Sequence, residues 1–303
     1  MAFPPASSTI PLVAYRSSIS LDEPAPVGVD ENWRVTLRPM LAELGVTVPG
    51  DVASEDEVAA PHLIDALHGF LAPLPPGVLA PETVERIEAI AAAVNAERQV
   101  VPALGLPTVA DEVVTSYPVA DVVSMWVGDI TQVRADAIVN AANGELLGCR
   151  LPHHPCIDNA IHSAAGPRLR DDCHAIIEQQ GSLEPVGAAK ITRGYALPAG
   201  YVLHTVGPQL VPGEAPTVEE SELLASAYRS CLDVAARVDA IATVVFCGIS
   251  TGVFAFPKPE AARIALETVA SWLNANPVRF ERIVFDFFSE ADADMYIEVL
   301  ANW

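Results

Sequence analysis

Between Ile138 and His162 the chain gathers Asn140, Asn143, Cys149, His153, His154, Cys156, Asp158 and His162. Few purely structural segments look like this. Cys149, His154 and Cys156 stand in a Cys-x4-His-x-Cys pattern, and thiolates with an imidazole suit zinc (Zn2+). A structural zinc site closes its tetrahedron with four protein ligands, whereas a catalytic one keeps a position open, and the local count here is three. His153 ranks below His154, because neighbours in an irregular loop seldom both point inward; Cys173, His174 and His162 are the nearby options for a fourth ligand. Buried cysteines often act as small hydrophobes, but two of them bracketing a histidine in a Pro-containing loop favour metal. Ala137, Ile138 and Val139 read as the end of a short buried strand, with Asn140 and Asn143 on the turn that leaves it. Turn chemistry is the ordinary use of such asparagines.

The elements that must position these groups change character along the chain. Residues 1–30 read as an irregular arm rich in Pro, Ser and Ala, and Trp33–Leu44, Pro61–Leu71 and Pro81–Arg98 follow as helices separated by Pro-Gly breakers. This small helical subdomain carries no chemical motif, and His62 and His68 read as structural. After a Pro-containing connection over 99–120, apolar strands alternate with helical patterns, an α/β signature. The expected strands are Val122–Val127, Ala137–Val139, Ala189–Thr192, Tyr201–Val206, Thr243–Cys247 and Arg282–Phe287. The expected helices are Cys156–Ala165, Pro167–Gln180, Val218–Val238, Pro259–Asn274 and Ala291–Leu300. Gly248-Ile249-Ser250-Thr251-Gly252 follows an apolar strand, so its backbone amides could form a nest for anionic oxygens, and a diphosphate fits there without a lysine. Pro185-Val186-Gly187-Ala188-Ala189 could face it, and either Phe287 or Phe288 could offer a ring face at the sheet edge. Open α/β sheets present ligands at the carboxyl ends of their strands, which these turns leave.

Composition narrows the function classes. With 303 residues the chain has room for two domains or one elaborated domain. No run of about 18 apolar residues free of charge occurs, so a membrane partner is not expected, and the start lacks a basic, then apolar, signal pattern. Five cysteines at uneven spacing fit a reducing compartment rather than a disulfide framework, and Cys231 and Cys247 lie in apolar surroundings. The expectation is a soluble cytoplasmic protein. Its formal net charge of −22 divides evenly, since residues 1–120 hold 16 acidic and 5 basic residues and residues 121–303 hold 23 and 12. A nucleic-acid partner needs a basic patch, and neither part offers one.

Taken together, Val127-Gly-Asp-Ile-Thr, Ile138-Val-Asn-Ala-Ala-Asn, Ile157-Asp-Asn-Ala-Ile-His-Ser-Ala-Ala-Gly, Gly187-Ala-Ala-Lys-Ile-Thr, Tyr201-Val-Leu-His-Thr-Val-Gly-Pro and Gly248-Ile-Ser-Thr-Gly-Val-Phe resemble the macrodomain family in order and spacing, over about residues 121–303. The insertion Gly148 to Asp158 resembles the zinc-dependent branch of that family, and residues 1–120 fit the helical extension its members carry. The resemblance implies a three-layer α/β/α fold with a mixed central sheet and an ADP-ribose cleft. It implies that Asp129 accepts from the adenine amino group with the Ile130 amide nearby, and that Phe288 stacks on adenine unless the register places Phe287 there. Gly187 and the run Ser250, Thr251, Gly252, Val253, Phe254 would wrap the diphosphate, Asn143 would hold the distal ribose, and Asn140 would tie down its own loop.

Many macrodomain hydrolases carry Gly-Gly-Gly-Val-Asp where this chain has Pro155-Cys156-Ile157-Asp158, and that departure places a thiolate near the distal ribose. Cys149, His154 and Cys156 match the branch's ligand pattern, so zinc would polarise water or a ribose hydroxyl while Asp158 orients the attacking group. The implied activity is release of mono-ADP-ribose from a modified protein. A reader that binds ADP-ribose with a structural zinc, and an interaction module whose helices bind a partner, are the alternatives; a fourth protein ligand would favour the reader.

Overall fold

The computed structural model describes residues 9–48 and 60–303. The start of the arm and residues 49–59 lie outside them. The helices are α1 (Leu12–Tyr15), α2 (Trp33–Glu43), α3 (Ala60–Leu71), α4 (Pro81–Glu97), α5 (Val109–Glu112), α6 (Ile157–Ala165), α7 (Pro167–Gln180), α8 (Val218–Ala235), α9 (Lys258–Ala275) and α10 (Glu290–Ala301). The strands are β1 (Val101–Pro102), β2 (Val123–Val127), β3 (Val133–Arg134), β4 (Ala137–Ala141), β5 (Ala189–Arg193), β6 (Tyr201–Thr205), β7 (Thr243–Phe246) and β8 (Arg282–Phe287).

Local chemistry sets many of these boundaries. Thr217 and Glu220 form a capping box at the start of α8, Ser289 caps α10, and Pro81 and Pro167 occupy first-turn positions where a missing N–H costs nothing. Gly181 closes α7 in the left-handed conformation. α6 begins at Ile157 rather than Cys156, because the Cys156 thiol is its cap and accepts from the Asn159 amide at 3.4 Å. β4 continues two residues past the expected end at Val139, since Asn140 and Ala141 pair with His204 and Thr205 of β6. Asn140 is thus a strand residue and not a turn residue.

Six strands form one mixed sheet in the order β2-β8-β7-β4-β6-β5, parallel except for β5, which runs antiparallel to β6. α8, α9 and α10 cover one face around Tyr228, Phe246, Phe285 and Tyr296. α6 and α7 cover the other, where Ile161, Ala165 and Leu169 meet Ile138, Val202, Val245 and Val284. Each fully buried aliphatic or phenyl side chain contributes about 1.5–3 kcal/mol. This is the expected three-layer α/β/α arrangement.

α2, α3 and α4 enclose a separate small core of Trp33, Leu37, Leu41, Leu63, Leu67 and Ile87. The arm behaves differently from those helices: Leu12, Tyr15, Ile19 and Leu21 are buried in the sheet's own core. The Tyr15 hydroxyl accepts from the Ile191 amide of β5 at 3.1 Å, so the arm engages the edge strand.

Candidate active site

Five parallel strands point their carboxyl ends at one rim, and the candidate residues follow those ends. β2 delivers Gly128 and Asp129, and the Gly128 amide donates to Phe287 O at 2.9 Å, which brings the ends of β2 and β8 together. Phe287 is buried against Tyr296, with ring centroids 4.6 Å apart, while Phe288 is 92% exposed at the rim. Alternation along the strand separates their roles. Asp129 caps the turn Ile130–Gln132, accepting from the Thr131 amide at 2.9 Å and hydroxyl at 2.6 Å, and forms an ion pair with Arg98. Burial pushes its carboxyl up, but the Thr131 bonds and Arg98 outweigh that and hold it below the usual carboxylate range. Ile130 is buried behind it.

The loop after β7 turns its carbonyls into the protein. Ser250 O accepts from Phe256 N at 3.0 Å, Gly252 O from Ala255 N at 3.0 Å and Phe254 O from Leu210 N at 2.9 Å. Among the described residues, no backbone carbonyl accepts from the amides of Thr251, Gly252, Val253 or Phe254. Ser250 sits at φ +63° and Ala255 at φ +56°, and such left-handed positions in a turn present amides on one side. Gly207 lets the loop after β6 approach closely, since a Cβ there would lie 2.0 Å from Ser250 Oγ. Gly187 lies at φ +83°, its amide donates to Val206 O at 2.8 Å, and its carbonyl accepts from the Ser226 and Ser230 hydroxyls. That amide is therefore committed inside the protein.

From β4 the chain enters the segment 142–156, with Leu146, Gly148, Arg150 and His153 all at positive φ. Asn143 shapes its start: its amide group donates to Gly148 O at 3.0 Å and its oxygen accepts from Glu145 N at 2.9 Å. Asn140 points instead at Asp158, donating to Oδ1 at 2.7 Å. In this structure Asn143 ties down the loop, the task the resemblance gives to Asn140. Cys149 Sγ lies 3.3 Å from His154 Nδ1, and the ligand atoms of Cys149, His154 and Cys156 all lie within 4.8 Å of one another. All three are partly exposed. His153 turns away to Asp65 of α3, at 3.0 Å. Of the options for a fourth ligand, Cys173 and His162 belong to a second, fully buried group with His204, and His174 is exposed on α7.

Asp158, in the first turn of α6, is 5% exposed, and burial pushes its carboxyl up to about 6 against the opposing effects of Asn140 and Arg170. His162 Nε2 lies 3.5 Å away, one turn along the same helix. His204 is held by Thr192 Oγ1 at 2.9 Å and lies 3.2 Å from Asn140 Nδ2, so a buried polar chain backs the Asp158 carboxylate. Arg98 and Arg170 have no local motif, and His204 stands inside the Tyr201–Pro208 segment without a role that its sequence context assigns. Arg98 follows the last turn of a helix and Arg170 sits amid acidic residues, so each reads in sequence as an ordinary surface charge.

Residues 139–265 match the family model described as Macro domain. A Staphylococcus aureus protein named protein-ADP-ribose hydrolase is 50% identical over 178 residues, covering 59% of this chain and 66% of that protein. The chain thus spans just under two thirds of that relative's length. A point variant of the Oceanobacillus iheyensis macrodomain, solved with ADPR, is 39% identical with a TM-score of 0.53, covering 59% of this chain and 92% of the other. The Trypanosoma brucei macrodomain in complex with ADP-ribose is 28% identical with a TM-score of 0.58, covering 77% and 94%.

Proposed function

This chain belongs to the macrodomain family, and we propose that it is a zinc-dependent hydrolase that releases mono-ADP-ribose from modified proteins. One observation carries the reading. Along the rim, in sheet order, stand Asp129 after β2, Phe288 after β8, the loop 250–254 after β7, and Asn143 with the Cys149, His154 and Cys156 group after β4. An acceptor and a ring face, then an amide nest, then metal-ligating groups repeat the linear order of adenine, diphosphate and distal ribose. Three strand spacings cover ~14 Å, enough for an extended nucleotide diphosphate.

The site fits zinc on its donor chemistry: two thiols and an imidazole converge in a partly exposed loop, and no fourth His, Cys or carboxylate joins them among the described residues. Cys149, His154 and Cys156 would hold the metal, leaving a position open. Bound there, zinc would supply Lewis-acid polarisation of a water or ribose hydroxyl. Asn140 fixes one oxygen of Asp158, and the other would accept a proton-bearing group of the attacking water or ribose, orienting it at the distal end of the cleft. The buried Thr192, His204 and Asn140 chain keeps that carboxylate from rotating away.

Asp158→Asn tests the assignment. Turnover of a mono-ADP-ribosylated protein should fall about a hundredfold or more, while ADP-ribose affinity and metal content stay near wild type. Unchanged turnover would remove Asp158 from the reaction, and tight ADP-ribose binding without turnover in the wild type would make the protein a reader.

A further inference from the structure

α4 of the helical extension ends at Glu97, and the next side chain, Arg98, crosses to the rim of the sheet. Its guanidinium pairs with Asp129 Oδ2 and donates to Thr131 Oγ1 at 3.0 Å. Asp129 Oδ1 is held from within its own turn by Thr131, so each carboxylate oxygen has a separate anchor, one local and one from another subdomain. The Arg98 and Asp129 side chains remain 33% and 38% exposed, which leaves the carboxylate able to accept from a ligand.

Arg98 is delivered from a rigid base. The Asn95 amide group, buried on α4, donates to Ala164 O at 3.0 Å and Ala196 O at 2.8 Å, and buried Glu88 accepts from the Arg168 amide at the start of α7 at 3.0 Å. On the neighbouring strand β8, Asp286 is buried with its Oδ1 unpartnered, and burial, with the charge of Asp129 adding to it, pushes its carboxyl up to about 9, so Asp129 is the ionised member of the two at neutral pH. Arg98 pinned to Asp129 favours that ionised form.

We propose that Arg98 is a positioning residue of the adenine subsite: it holds the Asp129 carboxylate aimed at the 6-amino group, so that the helical extension takes part in nucleotide recognition. This rests on the reading of the cleft as an ADP-ribose site. The extension then does more than decorate the sheet, because its last helix sets the direction of an acceptor that discriminates an amine from a carbonyl.

The test is calorimetric binding of ADP-ribose and of its inosine counterpart, which carries an oxo group in place of the amine, to full-length wild type, Arg98→Ala, Arg98→Gln and Arg98→Lys. Wild type should prefer ADP-ribose. Arg98→Ala and Arg98→Gln should weaken ADP-ribose about tenfold and leave the inosine ligand little changed, erasing the preference, and Arg98→Lys should restore part of it. Thermal unfolding of each variant separates lost positioning from lost folding, and the glutamine variant carries the comparison if the alanine variant does not fold. Wild-type preference retained in folded Arg98→Ala or Arg98→Gln would overturn this proposal alone. A wild type that binds neither ligand would overturn it together with the ADP-ribose reading.

Discussion

Two adjacent phenylalanines at the end of β8 show how a single strand residue is committed to one job. Phe287 is in the core against Tyr296, and Phe288 is exposed at the rim. Phe288→Ala should weaken ADP-ribose binding by about 1–3 kcal/mol, the worth of one aromatic stack on a base, with thermal stability kept. Phe287→Ala should instead cost about 3–5 kcal/mol of folding stability through the cavity it leaves. Calorimetry and denaturant unfolding on both variants check the contrast. At this scale the sequence was partly readable. Period-two alternation separates the two rings but leaves the register open, and the exposures resolve it. Asn140 and Asn143 were harder, because both are good turn residues and only the pairing of β4 with β6 shows that Asn140 belongs to the strand and reaches Asp158.

The loop that carries Cys149, His154 and Cys156 owes its shape to elements far from it in sequence. Arg170 of α7 donates to Leu147 O at 2.9 Å, and also to Leu71 O at 2.7 Å and Leu74 O at 3.0 Å at the end of α3. His153 meets Asp65 of α3. A half-buried guanidinium that satisfies carbonyls of both the loop and the extension fixes their spacing. Arg170→Ala should therefore weaken zinc binding about 10- to 100-fold, the usual cost of losing an outer-shell support, and Arg170→Lys should recover little, because one ammonium cannot reproduce the planar fork. Metal titration against a chelator of known affinity reads this directly. Wild-type affinity in Arg170→Ala would mean the loop holds its shape alone. The strands of the main sheet and the longer helices were legible as apolar runs punctuated by Gly and Pro, whereas α1, α5, β1 and β3, of two to four residues each, are too short to leave a period. These braces were not legible, since contacts across 88 to 99 residues, as between Asp65 and His153 or Leu71 and Arg170, leave no local pattern.

For the whole molecule, the alternation of strands and helices after residue 120 was enough to predict an α/β class and the family resemblance supplied its layering, while the burial of Leu12, Tyr15, Ile19 and Leu21 in the sheet's core shows that the arm belongs with the sheet. Among the described residues, no helix is long and apolar enough to cross a membrane. The net charge of −22 bears on function as well. ADP-ribose is itself anionic, so the protein's field opposes its approach, and the association rate should rise when ionic strength goes from roughly 20 to 150 mM, where the Debye length shrinks to about 8 Å. Stopped-flow binding measures this. A rate that falls with salt would mean a local positive potential at the cleft outweighs the global charge.

If the rim of the sheet and the three-ligand loop serve one reaction, one measurement addresses both. Release of ADP-ribose from a mono-ADP-ribosylated protein is followed with enzyme as purified, enzyme stripped by a chelator, and stripped enzyme given zinc, with metal content and ADP-ribose affinity determined on each. The expected result is about one zinc per chain in the active samples, turnover lost on stripping and restored by zinc, and ADP-ribose binding retained in large part throughout. Full turnover by enzyme shown to be free of metal would contradict it.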